Sequence, residues 1–164
     1  MPQQSNVLKI VFIQTGKTNS KEIESLESEY YKRIKRYVQF ERVVVPDLKN
    51  AKNLKPLEVN RQEAVLLKRY FEPNDLIILL DDKGKQYKSV EFANHLQKLM
   101  NRSPKRIVFV IGGPYGFDSE MYGLATEKLS LSKMTFSHQI IRAIFAEQLY
   151  RGISILNNDP YHHE

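Results

Sequence analysis

Two apolar runs, "DLIILL" at 75–80 and "RIVFVI" at 106–111, constrain this chain more than anything else in it. They are of strand length, and a continuous apolar run of that length suits a strand covered on both faces. A third run at 7–13 is interrupted only by Lys9. Between the runs, helical patterns occupy about 21–37, 58–71, 90–100 and 138–155. Strands alternating with helices predict an α/β fold with a mainly parallel sheet. No internal repeat, low-complexity tract or linker divides the 164 residues, so they read as one domain over 1–164. Asn19 or Ser20 is placed to cap the first helix, Ser89 the third, and Asp118 or Ser119 a short helix reaching about Thr126.

At 41% hydrophobic and 27% charged the chain reads as globular rather than disordered. No apolar run approaches the ~20 residues needed to span a bilayer. The opening "MPQQSNVLKIVFI" lacks a basic region and a small-residue cleavage site, so a cytoplasmic protein is expected. There is no cysteine, hence no disulfide framework and no thiolate metal site. His, Asp and Glu show no metal-ligand spacing either. The net charge of +6 suits either a polyanionic partner or a merely basic surface. Two segments are candidates to touch a polyanion. "YYKRIKRY" interleaves cations with Tyr30, Tyr31 and Tyr37, which either stack on bases or pack inward. "KNAKNLKP" is a polar, basic loop.

The chemistry concentrates where the run at 106–111 opens into "GGPYGF". This is not a dinucleotide fingerprint: the glycines stand at 112, 113 and 116, Pro114 stiffens the turn, and the pattern falls late in the chain. No lysine or arginine lies in the loop to meet a pyrophosphate. The "GKT" at 16–18 is not a P-loop, because the glycine that motif needs five positions earlier is Val11. Glycines at a strand end let backbone groups approach an adenine edge, which fits a neutral or cationic adenosyl ligand.

"VIGGPYGF", the downstream "LSLSKMTFSHQIIRAIFAEQLYRGISI", the terminal "PYHHE" and the segment "LLDDKGK" resemble the RlmH branch of the SPOUT methyltransferases. The likeness runs the whole length, more specifically in the C-terminal half. Ser137 stands where the family often has proline. The resemblance implies a SPOUT-type α/β fold with a C-terminal trefoil knot, working as a homodimer through the last helix. It implies S-adenosyl-L-methionine as cofactor, held by Leu80, Gly112 and the segment Leu131, Ser132, Lys133, Met134, Thr135 and Phe136. The implied reaction is methylation of N3 of pseudouridine 1915 in 23S rRNA, with the ribosome as partner.

That imide nitrogen must lose a proton, to a base or with help from a nearby cation. His138 opens the last helix and is either the base or a helix cap. Arg142, one turn on, either holds a target phosphate or anion, or pairs with a carboxylate such as Glu147. Tyr161 and His162 match the family's terminal pair, which the resemblance sets near the cofactor pocket; otherwise the tail is frayed. His95 lies outside these motifs and reads as a surface residue. Two rivals stay open: a non-catalytic RNA-binding module of the same fold, and a nicotinamide-dependent oxidoreductase.

Overall fold

A computed structural model describes residues 7–163; the opening "MPQQSN" and Glu164, which ends "PYHHE", lie outside the described residues. Five strands form one sheet: β1 (Lys9–Thr15), β2 (Gln39–Val45), β3 (Leu76–Lys85), β4 (Arg106–Ile111) and β5 (Glu127–Leu129). Their order is β2-β1-β4-β3-β5 and every pairing is parallel, as the apolar runs predict. Helices α1 (Lys21–Ile34), α2 (Pro56–Lys68), α3 (Ser89–Asn101), α4 (Ser119–Leu124) and α5 (Ile140–Leu156) cover both faces.

Alternation along the strands divides the core in two. Ile10, Phe12, Ile78, Ile107 and Phe109 meet α1, α3 and α5, whereas Val11, Ile13, Leu79, Val108 and Val110 meet α2 and α4. Phe145 anchors α5 in the first layer, with its ring centroid 4.7 Å from that of Phe12 and 4.9 Å from that of Phe109. Truncating a buried phenylalanine of this kind costs about 3–5 kcal/mol. Among the described residues, no helix is long and apolar enough to cross a membrane.

Caps set the helix starts. Ser20, not Asn19, accepts the Ile23 N–H, and Asp118 accepts the Met121 N–H. Ser89 is the first residue of α3 rather than its cap. The polar "DDKGK" departs more sharply from expectation, because β3 continues through it instead of turning away. Leu80 and Lys85 of that one strand both pair with Leu129, so the segment folds as a collar over the end of β5. The Ser130 N–H donates to the Lys85 carbonyl at 2.9 Å and closes the collar. Gly84 permits it: a Cβ there would lie 2.6 Å from the Leu129 backbone.

Candidate active site

The carboxyl ends of β3 and β4 and the segment after β5 enclose a cleft of about 620 Å³. That is the size of a small-ligand site, in the place where open α/β sheets hold their ligands. Residues 80–83 form one wall, 111–117 a second and 129–138 a third, apart from Lys133.

The glycine wall is a tight turn, with the Gly116 N–H bonded to the Gly113 carbonyl at 3.2 Å. Gly116 takes φ +77, a conformation side chains resist. Gly112 is buried for want of space: a Cβ would lie 3.0 Å from the Gly116 carbonyl oxygen and 3.1 Å from the Phe117 ring. Gly113 answers to a neighbour on its far side, where a Cβ would collide with the Glu63 carboxylate of α2. The three glycines thus have three different causes.

The first wall carries charge. Asp81 accepts the Lys83 N–H at 2.8 Å and the hydroxyl of Tyr122. Burial, then the bond to Asp81, pushes the Tyr122 phenol well above its ordinary range, so it stays a proton donor. In the third wall, serines shape the chain. The Ser130 hydroxyl donates to the Ser132 carbonyl at 3.0 Å, and the Ser132 hydroxyl accepts the Met134 N–H at 2.9 Å. Ser137, at the position where proline is common, accepts the Ile140 N–H at 3.2 Å. The hydroxyl therefore caps the start of α5, a task open to His138 on sequence grounds. His138 is left exposed at the cleft's rim.

Of the residues expected to hold a ligand, Leu80, Gly112, Leu131, Ser132, Met134, Thr135 and Phe136 line the cleft, and so does His138. Lys133 is exposed in the same segment but contributes nothing to the lining. Three others are not brought together with it. Arg142 is wholly buried and does not line the cleft. It donates to the carbonyls of His138 (3.0 Å), Gly16 (2.8 Å) and Thr15 (2.8 Å), and it makes no pair with Glu147. A guanidinium that is wholly buried and donates to three backbone oxygens presents no exposed face to a phosphate, so Arg142 fixes the rim rather than meeting a ligand. Tyr161 and His162 pack instead on the far part of α5. The Tyr161 ring lies edge-on to Tyr150, its hydroxyl is 3.2 Å from that of Tyr30, and Arg151 reaches His162 Nδ1 at 3.1 Å.

Sequence reasoning passed over Asp81, Tyr122 and Ser130 as site residues, although "LLDDKGK" marks the first. His95 is not a plain surface residue, since its Nε2 lies 2.5 Å from Glu127 and its ring stacks on Tyr87. Among the described residues, no three His, Cys, Asp or Glu side chains gather as metal ligands.

An open parallel sheet with a loop-walled, glycine-lined cleft at its carboxyl edge defines a class: an α/β domain that seats a small ligand there. Within that class the chain belongs to the SPOUT methyltransferase family, whose model, described as predicted SPOUT methyltransferase, matches residues 8–162. It is 50% identical over 157 residues to a ribosomal RNA large subunit methyltransferase H of Parabacteroides distasonis, covering 96% of this chain and 100% of that one. A protein of the same name from Phocaeicola vulgatus is 48% identical over the same shares of both chains. The fold is similar to the solved structure of a probable methylase family protein from Haemophilus influenzae. That likeness has a TM-score of 0.53 at 14% identity, over 94% of this chain and 67% of that one. Family membership favours methyl transfer over both a bare RNA-binding module and a nicotinamide enzyme.

Proposed function

We propose that this chain transfers a methyl group from S-adenosyl-L-methionine to N3 of a pseudouridine in 23S rRNA, acting in the cytoplasm as a homodimer on the assembled ribosome. The observation that carries the reading is the cleft, where the three segments expected to hold the cofactor converge at one sheet edge.

The lining suits the cofactor's chemistry. Leu80, Ile111, Leu129 and Leu131 offer an apolar floor for a purine, and the backbone at Gly112 and Ser130–Ser132 offers polar groups to its edge. The Asp81 and Asp82 carboxylates favour a ligand bearing positive charge. When bound, the cofactor supplies an electrophilic methyl on a sulfonium. The protein's part is to seat the acceptor nitrogen in line with that methyl and to take up its proton. His138, exposed on the rim, is the side chain we assign as acceptor of that proton.

Tyr161 and His162 enter through the second copy. Tyr161 rests on Tyr150, nine residues and about 14 Å along α5 from Ile141 at the cleft. A tail held there serves the cleft of a partner more readily than its own. Ile140, Ile144 and Ile155, only partly covered along α5, supply apolar surface for the dimer contact.

Calorimetric titration with S-adenosyl-L-methionine, followed by transfer of labelled methyl to ribosomes and to protein-free rRNA, tests the reading. Binding together with label on a 23S pseudouridine is expected. Absence of binding, or label elsewhere, overturns it. Gly112→Val should abolish cofactor binding with the chain still folded, because a Cβ there would stand 3.0 Å from the Gly116 carbonyl oxygen and 3.1 Å from the Phe117 ring and so displace the glycine wall of the cleft. Normal binding by that variant would move the cofactor out of this cleft.

A further inference from the structure

The sheet's carboxyl edge extends past the cleft to the loops after β1 and β2, where four lysines cluster. Most arginines are engaged: Arg33 with Glu29, Arg42 with Glu24, Arg61 with Glu58, Arg106 with Asp75, Arg151 with Glu147, and Arg142 with backbone. Lys17, Lys49, Lys52 and Lys55 are all exposed, and among the described residues none has a carboxylate within 4.0 Å. Between Asp47 and Glu58 the chain reads "LKNAKNLKPL", with three lysines and no acid.

These lysines are joined to the cleft by a continuous line of contacts. His138 forms part of the rim. The next residue, Gln139, accepts the Asn19 N–H at 2.7 Å and donates to the Lys17 carbonyl at 3.1 Å. Gly16 donates its N–H to the Val45 carbonyl at 2.7 Å, tying the β1 turn to the end of β2. From Val45 the chain passes Asp47 into the lysine loop, which ends at α2, where Glu58 is paired with Arg61. That helix returns to the glycine wall, where Asn60 donates to the Tyr115 carbonyl at 2.9 Å. The loop is therefore tied at one end to the glycine wall and at the other, through the β1 turn and Gln139, to the segment that carries His138.

We propose that Lys17, Lys49, Lys52 and Lys55 form a track for the phosphate backbone of the RNA that enters the cleft; this rests on the RNA methyltransferase reading above. Ammonium groups without carboxylate partners are free to displace counterions from phosphates, and each contact made this way adds to the salt dependence of binding. The polyanion is taken to be RNA because the track ends at the proposed acceptor site.

The test is the affinity of the full-length protein for purified ribosomes and for protein-free 23S rRNA, measured across a KCl series. The K49A/K52A/K55A variant should lower the slope of log Kd against log salt by about 0.7–0.9 per lysine removed. It should weaken binding about ten- to a hundredfold at moderate salt, with the Kd for S-adenosyl-L-methionine unchanged. K98A/K105A, at the opposite edge, should match the parent. An unchanged slope, or an equal loss in K98A/K105A, overturns the track. A loss on ribosomes that is absent on protein-free rRNA puts an acidic ribosomal protein there instead and also overturns it. The slope is read without any methyl transfer. A parent that methylates and a triple variant with an undiminished slope defeat the track alone. A diminished slope in a protein that never methylates defeats the enzyme reading alone.

Discussion

The two ends of α5 carry the same ingredients, an arginine among carboxylates and tyrosines, in opposite settings. Near the amino end Arg142 is fully buried, its donors taken by three backbone carbonyls, with Gln14 and Thr18 at longer range. Beside it Glu27, equally buried, accepts from Gln14 at 2.7 Å, from Thr18 at 2.6 Å and from Tyr31. Burial lowers the Arg142 pKa from its ordinary value, with Glu27 opposing. Near the carboxyl end Arg151 pairs with Glu147 under the Tyr161 ring, with about a quarter of its side chain in solvent. There the Glu147 bond raises the arginine's pKa and desolvation is the lesser influence. One group of residues locks the β1 turn to the cleft's rim; the other tiles a surface. The difference lies in what remains after one partner is removed.

The largest effect should follow at the buried end. Arg142→Met would leave the buried carbonyls of Thr15 and Gly16 and the part-buried carbonyl of His138 without their donor, and leave Glu27 with Arg42, 3.5 Å away, as its remaining cation. Breaking such a network costs about 3–5 kcal/mol. A urea titration should show that loss, and cofactor affinity should fall with it because the His138 carbonyl is released. A loss below about 1 kcal/mol would erase the contrast between the two ends.

Glu63 sharpens the contrast as a buried carboxyl with one oxygen unpartnered. Its Oε1 has no hydrogen-bond partner, Gly113 packs against the carboxylate, and the Asp47 carboxylate is close enough to be felt. Burial first, and Asp47 second, lift its pKa from 4.5 to about 7. Below pH 4.5 both folded and unfolded chains hold the proton and the group is neutral in the balance. As pH rises from there to about 7, the unfolded chain ionises while the folded one resists, so stability is lost across that window. Above it the penalty is complete. Glu63→Gln should therefore match the parent at pH 4 and exceed it by about 2 kcal/mol at pH 8.5. Parallel stability curves would show that Glu63 already has a partner.

How much of this was legible in sequence depended on how local each cause is. The runs at 75–80 and 106–111 announce their strands because burial on both faces leaves no polar position. Ser20 and Asp118 announce helix starts because a cap acts within three residues. The collar does not announce itself: "DDKGK" has turn composition, and only pairing with Leu129, over 40 residues away, makes it strand. β5 is hidden for the same reason, with one buried apolar residue in three. In the site, the third wall was readable as a motif, whereas Asp81 and Tyr122 meet only through folding. Spacing put Arg142 one turn from His138, and one turn away it is. Its side chain reaches the histidine's carbonyl rather than its ring, a choice made by the carbonyls at 15 and 16. The tyrosines of "YYKRIKRY" divide similarly: Tyr31 is core, Tyr30 meets Tyr161, and Tyr37 bonds Asp159.

The smallest folding effect belongs to the exposed end, and there the contrast meets function. Arg151→Met leaves Glu147 within reach of water and of the Tyr161 hydroxyl, which already donates to it at 3.1 Å. The cost should be about 0.5–1 kcal/mol, the range of a part-exposed ion pair. Tyr161 loses the nearer of the two guanidinium groups over its ring, Arg33 remaining at 6.0 Å, and His162 loses its contact with the Arg151 guanidinium. If that tail serves a second copy's cleft, methyl transfer should fall at least tenfold in a variant whose urea midpoint barely moves. Cofactor affinity should stay at the parent value, since no atom of the cleft has changed. Equal and small losses in folding and transfer would make the tail a surface patch like any other. A folding loss near that of Arg142→Met would mean that both ends of α5 are clamps.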